Sequence, residues 1–228
     1  MVGKQWISEM CNMRSEYYRK DFSGEDGCDR IEAEKKRKEG VSMRTDAEIM
    51  QIIDEAIRSI WVNEIRNDYE NRRLLKEDTL KNALYYHLRN RIGWLCDECD
   101  LRIFTEFTDD KFRGTGRIPD MVIARMDMKK DVRYWGDAVT ECLAVIEIKY
   151  KANAGASRDI FADYDKLRYY VEKLNVESKL YMATIWECED DPTTWERKNA
   201  AWAKGKVTEL NVSFKRGTWD MQFYVAEH

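Results

Sequence analysis

Hydrophobic residues recur every three to four positions in two segments of the first half of the chain. The first segment keeps this spacing over residues 45–68, which predicts one long amphipathic helix. In the second segment Leu80, Leu84 and Leu88 form a single stripe, which predicts a helix over residues 77–92. Both helices should bury their apolar face against a common core.

Short apolar runs follow these helices and predict β-strands. The runs cover residues 101–107, 118–125, 143–150, 179–187, 207–214 and 219–227. A helix is predicted near residues 158–175 and a short helix through Trp195 and Trp202. The sequence Lys-Arg-Gly-Thr at 215–218 has the composition of a hairpin turn between the last two strands. This succession of elements predicts an α/β domain.

The first 44 residues have a weaker pattern and predict a helical N-terminal extension of two short helices. Residues 45–228 then form the main domain. A run of positive charge at 35–38 is most simply a solvated helix face, with contact to phosphate as the alternative.

Composition limits the class of protein. The 228 residues include 43% hydrophobic and 36% charged side chains, as expected of a domain that buries a substantial core. No apolar stretch reaches the roughly 18 residues of a membrane span, and the start lacks the apolar run of a signal peptide. We therefore expect a cytoplasmic protein without membrane contact, and its six irregularly spaced cysteines should remain thiols.

The net charge of -4 argues against a protein that coats nucleic acid, because such proteins usually carry excess Lys and Arg. The same charge is compatible with a nuclease. An enzyme that hydrolyses phosphodiesters needs acidic residues to hold its metal, and it can keep its basic residues on one face.

Two charged residues interrupt the apolar run at 143–150. Period-two alternation places Leu143, Val145, Glu147 and Lys149 on one face of the predicted strand. Burying Glu147 and Lys149 is costly unless they pair with each other or bind a metal. From this strand alone, a buried ion pair and a metal site are equally good explanations.

Asp120 favours the metal site. It is a lone carboxylate in the predicted preceding strand, within Ile-Pro-Asp-Met-Val. Carboxylates from adjacent strands suit Mg²⁺, which keeps several waters and binds phosphate oxygens. Lys149 could then place its ammonium group beside an activated water and the scissile phosphate.

Glu77 lies on the leucine stripe of its helix and should point toward the core. The alternative is that this acidic residue only interacts favourably with the dipole at the start of the helix.

Pro119 and Asp120, followed 26 residues later by Glu147, Ile148 and Lys149, resemble the signature of the PD-(D/E)XK nuclease superfamily. The similarity covers roughly residues 76–187. It implies a restriction-endonuclease-like fold, a mixed central β-sheet flanked by helices. It also implies Mg²⁺-dependent hydrolysis of DNA, less often of RNA, with Mn²⁺ expected to substitute.

The resemblance also implies roles for individual residues. Asp120 and Glu147 would be metal ligands and Lys149 the catalytic lysine. Glu77 would be a further ligand on the upstream helix. Lys166, in the helix after the signature, would be an auxiliary lysine near the phosphate, unless it is an ordinary solvent-facing lysine.

Other candidate sites are weaker. Cys96 and Cys99 have zinc-ligand spacing, but completing the site would require Cys11 and Cys28. His87 is best explained as a hydrogen-bonded core histidine. A further pair, Glu106 and Arg117, could contact each other across adjacent strands or contact the substrate.

These observations predict a Mg²⁺-dependent endonuclease, with DNA favoured over RNA, acting in defence or repair. The alternative is a non-catalytic nuclease-fold protein that binds nucleic acid or a partner protein within a larger assembly. Cleavage of both strands of a duplex would need two active sites, so a homodimer is also compatible. Base readout would lie in the stretch 127–140 or in the basic N-terminal segment.

Overall fold

The computed structural model describes residues 44–108, 117–152, 157–174, 178–187, 201–214 and 220–228. Several predicted features lie outside the described residues. They are residues 1–43 of the predicted extension with Cys11, Cys28 and the charge run at 35–38, the turn at 215–218, and Trp195.

The first predicted helix is present with a change of geometry along its length. Helix α1 spans Asp46–Ile60, a π-helical turn spans Trp61–Ile65, and helix α2 spans Arg66–Glu70. The wider turn begins at Trp61, a large side chain with no exposed surface whose indole N–H donates to the Asn211 carbonyl at 3.3 Å. The helical segment therefore continues two residues beyond its predicted end. The π-helical turn interrupts the α-helical geometry at the bulkiest buried side chain.

Helix α3 spans Glu77–Glu98 and is six residues longer than predicted, because the leucine stripe continues through Ile92 and Leu95. Helix α4 spans Ser157–Lys173, close to the predicted 158–175. Two short 3₁₀ helices, Trp135–Ala138 and Ala201–Ala203, lie in connections between the larger elements. None of the described helices is long and apolar enough to cross a membrane.

The strands form one six-stranded sheet in the order in which they occur along the chain. Their bounds are Leu101–Thr105 for β1, Met121–Met126 for β2, Val139–Lys151 for β3, Lys179–Trp186 for β4, Val207–Phe214 for β5 and Met221–Glu227 for β6. Strand β3 runs parallel to β4, and β4 runs parallel to β5, whereas the remaining neighbours are antiparallel. The predicted α/β class is confirmed, with a mixed sheet.

Helices cover both faces of this sheet. On one face α1 and α3 pack over a core that includes Ile123, Ile146 and Ile185. On the other face α4 packs over a core that includes Val145 and Met182. The parallel strands in the middle are buried on both sides, as is usual for strands with helices on each face.

Strand β3 is longer than predicted and contains a β-bulge. Ile123 of β2 pairs with Ala144, and Ala124 pairs with Cys142, so Leu143 has no partner in the ladder between β2 and β3. Leu143 joins the core under α1 and α3, and its predicted place on the face of Glu147 was wrong. The prediction assumed strict alternation, which one extra residue interrupts.

The start of β2 also differs from the prediction. Asp120 lies in a bend immediately before the first strand residue, Met121, and is not part of the strand. Likewise β1 ends at Thr105, so Glu106 follows the strand in a left-handed conformation with φ of 49°.

The leucine stripe of α3 should carry much of the stability. We expect Leu84→Ala to lower the free energy of unfolding by about 2–5 kcal/mol, because Leu84 has no exposed surface and its truncation leaves a cavity. Denaturant unfolding measures the change. The control is Asn82→Ala, an exposed position on the same helix, where we expect a change within about 0.5 kcal/mol. Equal effects at the two positions would contradict this view of the α3 packing.

Candidate active site

Glu147 lies at the centre of the candidate site. It belongs to β3 and has no exposed surface. Its two carboxylate oxygens are held by helix α4: Lys166 Nζ lies 3.0 Å from Oε2, and the Tyr170 hydroxyl donates to Oε1 at 2.9 Å. Lys166 and Tyr170 are four residues apart and therefore lie on one helix face. The sheet supplies the acid and the helix supplies its two donors.

Asp120 is fixed beside Glu147 by the backbone. Its Oδ2 accepts a hydrogen bond of 2.8 Å from the N–H of Ile148, the residue that follows Glu147. Its Oδ1 lies 3.7 Å from Nζ of Lys81. The bend before β2 thus brings a second buried carboxylate to the middle of β3.

Lys149 connects the site to two helices. Its Nζ lies 3.0 Å from Oε2 of Glu77, the first residue of α3, and 3.1 Å from Oδ2 of Asp163 in α4. Lys166 also contacts Asp163, with Nζ 3.1 Å from Oδ1. Asp163 therefore contacts both lysines, one at each carboxylate oxygen.

The site has an excess of negative charge. Its acidic residues are Glu77, Glu106, Asp120, Glu147 and Asp163, and its lysines are Lys81, Lys149 and Lys166. When all of these groups are ionised, five carboxylates against three ammonium groups leave two negative charges. One divalent cation would neutralise this excess, in competition with the proton that Glu147 holds up to about pH 8.

Burial and crowding shift the ionisation of these groups. Burial, and after it the nearby charge of Asp120, raises the pKa of Glu147 to about 8. Burial also raises the pKa of Asp120.

For Lys149 burial favours the neutral amine, but the charges of Asp163 and Glu77 outweigh it, and the pKa of Lys149 lies above its ordinary value. The same balance, dominated by Glu147 among its partners, raises the pKa of Lys166. Both lysines are therefore ammonium groups at neutral pH.

The structure brings together the five residues singled out from the sequence, Asp120, Glu147, Lys149, Glu77 and Lys166. Lys166 is a quarter exposed and contacts Glu147, so the alternative of a wholly solvent-facing lysine is wrong. Glu77 contacts Lys149 of β3, so its side chain is directed toward the sheet, as its place on the leucine stripe predicts. The catalytic and metal-binding roles of all five stay predictions.

Three further residues of the site were not found from the sequence. Lys81 follows Glu77 by one helical turn and contacts Asp120 and Glu106. Asp163 and Tyr170 share a face of α4 with Lys166, at spacings of three and four residues. Each lies one helical turn from Glu77 or Lys166, but this spacing alone does not show which neighbours on a helix face the site.

The weaker candidates have other surroundings. Glu106 pairs with Lys81, and the Arg117 guanidinium lies 4.6 Å from the centre of the Tyr169 ring. His87 Nε2 lies 2.7 Å from Oδ2 of Asp68, which agrees with a hydrogen-bonded histidine. Burial raises the pKa of the Cys96 thiol, which disfavours the thiolate that zinc binding requires.

Asp120 and Glu147 offer carboxylate oxygens, the donors that Mg²⁺ binds in proteins. Among the described residues, no group of three or more His, Cys, Asp or Glu side chains is arranged to hold an ion. Mg²⁺ commonly binds one or two carboxylates and keeps the rest of its shell as water and substrate oxygens. Asp120 and Glu147 supply two carboxylates of this kind.

The chain matches no protein-family model, and no curated protein or solved structure is significantly similar to it. The resemblance to PD-(D/E)XK nucleases therefore rests on the residues around Asp120 and Glu147.

The raised pKa of Glu147 predicts how stability depends on pH without metal. In the unfolded chain Glu147 loses its proton near the ordinary pKa of 4.5, whereas the folded site holds the proton up to about pH 8. The contribution of Glu147 to stability is therefore complete below pH 4.5 and is lost as pH rises through 8. We expect Glu147→Gln to abolish this loss, measured by denaturant unfolding in EDTA from pH 5 to 8.5.

Glu209 provides the matched control. It is a buried glutamate on β5 whose pKa is raised to about 7 by burial. Glu209→Gln should remove the loss of folding stability that Glu209 causes as pH rises to about 7. It should leave in place the further loss of stability between pH 7 and 8. An unchanged decline above pH 7 in Glu147→Gln would show that another group causes it.

Proposed function

We propose that this protein is a Mg²⁺-dependent nuclease that hydrolyses phosphodiester bonds of nucleic acid, with DNA favoured over RNA, and that its fold is restriction-endonuclease-like. The observation that carries the proposal is the hydrogen bond from the Ile148 N–H to Asp120. It holds a second buried carboxylate next to Glu147 at the place where Lys149 and Lys166 converge. Two buried acids with an uncompensated charge favour the binding of a divalent cation.

Each residue has a role that follows from its position. Asp120 and Glu147 would bind Mg²⁺, and Glu77, which contacts Lys149, is the proposed third ligand. The ion, when bound, lowers the pKa of a water and offsets charge that develops on the phosphate. Asp120 is kept in place by the backbone, and Glu147 by its donors on α4.

The lysines would act on the phosphate as charges. Lys149 and Lys166 are held as ammonium groups by the carboxylates around them, so neither is a base at neutral pH. Each can donate hydrogen bonds to phosphate oxygens or to the attacking water. Tyr170 donates to Oε1 of Glu147, and Lys166 donates to Oε2.

The central test compares cleavage of plasmid DNA, linear duplex DNA, single-stranded DNA and RNA with Mg²⁺, Mn²⁺ or EDTA. We expect cleavage that requires the metal, that falls to background in Glu147→Gln, and that falls about 100-fold or more in Lys149→Met. Glu209→Gln is the control, since it removes a buried carboxylate of the same sheet without touching Asp120 or Glu147. Its activity should stay close to that of the unmodified protein.

A measurement of Mn²⁺ binding distinguishes the enzyme from a protein that binds metal without cleaving nucleic acid. Binding that Glu147→Gln removes, with no cleavage of any substrate, would contradict the enzyme and favour the non-catalytic nuclease-fold protein. Cleavage that persists in EDTA or in Glu147→Gln would exclude this site as the active centre. The substrate that is cut fastest identifies the class of nucleic acid.

A further inference from the structure

Lys149 and Lys166 each contact two carboxylates, and their partners follow the same pattern. For Lys149 they are Glu77 at 3.0 Å and Asp163 at 3.1 Å. For Lys166 they are Glu147 at 3.0 Å and Asp163 at 3.1 Å. One partner of each lysine is a proposed metal ligand, and the other is Asp163 in both cases.

This pattern matters when a divalent cation binds. Oxygens of Glu77 and Glu147 that face the cation can no longer be fully shared with the lysines. An ammonium group that loses its counter-ion in a buried site is costly, and Lys149 and Lys166 are only 15% and 25% exposed at their side chains. Each lysine would then leave the site or rely on a carboxylate that does not bind the metal.

We propose that Asp163 is a positioning residue that retains Lys149 and Lys166 at the active site when the metal takes over their other partners. The proposal rests on the metal-binding part of the proposed function. Asp163 is well placed for this role because it is itself 3% exposed. Its neighbours Tyr164 and Leu167 are anchored in the core between α4 and the sheet, which fixes the turn of α4 that carries it.

Asp163 also brings the two ammonium groups to one carboxylate. Lys149 contacts Oδ2 and Lys166 contacts Oδ1. Both lysines are therefore positioned by the same side chain, and both can donate hydrogen bonds to a bound phosphate.

Without Asp163, both lysines would have only the proposed metal ligands as partners. They would pair more completely with Glu77 and Glu147 and compete with the metal for the same oxygens. We expect Asp163→Asn to weaken Mn²⁺ binding about 10-fold or more, measured by calorimetry or electron paramagnetic resonance on the full chain. Asp165→Asn is the matched control, an exposed aspartate on the same helix, and should change the affinity less than twofold.

A double-mutant cycle with Lys166→Met distinguishes an effect through the lysines from a simple loss of negative charge. If Asp163 acts through Lys166, the effect of Asp163→Asn on Mn²⁺ affinity should be clearly smaller when Lys166 is already methionine. Asp163→Glu, which keeps the charge, should retain most of the affinity. If Asp163→Asn does not fold, Asp163→Ser replaces it in the same cycle.

The results separate this inference from the proposed function. Unchanged Mn²⁺ affinity in Asp163→Asn, or an equal effect with and without Lys166, would overturn the role of Asp163. The predicted Mn²⁺ pattern without cleavage of any nucleic acid would support Asp163 and overturn the nuclease. Absence of Mn²⁺ binding by the unmodified protein would overturn both.

Discussion

Glu147 is a carboxylate with no exposed surface in the longest strand of the sheet. Several of its neighbours offset the cost of burying this group. Lys166 and Tyr170 donate to its two oxygens, and both come from a single face of α4. The position of α4 over the sheet is therefore linked to the solvation of this one side chain. The charge is still not fully balanced, because Asp120 adds a second carboxylate nearby and raises the pKa of Glu147 further. A protein that only needed a stable core would gain from an apolar residue at this position.

The residues of the site that could be predicted from the sequence are those whose environment is local. Alternation along one strand places Glu147 and Lys149 on a common face, and the leucine stripe of α3 orients Glu77. Asp120 was found as a lone acid before an apolar run, although its attachment to the Ile148 N–H depends on the pairing of two strands. Such pairing is not visible in a single sequence.

The missed residues have a common physical reason. Whether Lys81, Asp163 and Tyr170 point to the site depends on how helices α3 and α4 rotate over the sheet, and an exposed lysine and a pairing lysine have the same helical pattern. The bulge at Leu143 was equally invisible, because residues 142–146 are apolar on both faces of the strand. The π-helical turn at Trp61–Ile65 leaves the stripe of hydrophobic residues nearly unchanged and so did not interrupt the predicted helix.

That bulge separates β3 into two halves that are out of phase by one residue. In the first half, Cys142 faces α4, and strict alternation from there would direct even-numbered residues to α4 and turn Glu147 and Lys149 toward α1 and α3. The extra residue reverses this order, so the odd-numbered residues of the second half face α4. The position of the charged pair thus depends on chain length within β3 as much as on residue type. Substitutions at Leu143 leave that phase intact. A one-residue deletion there would move each later residue of β3 to the opposite face of the sheet.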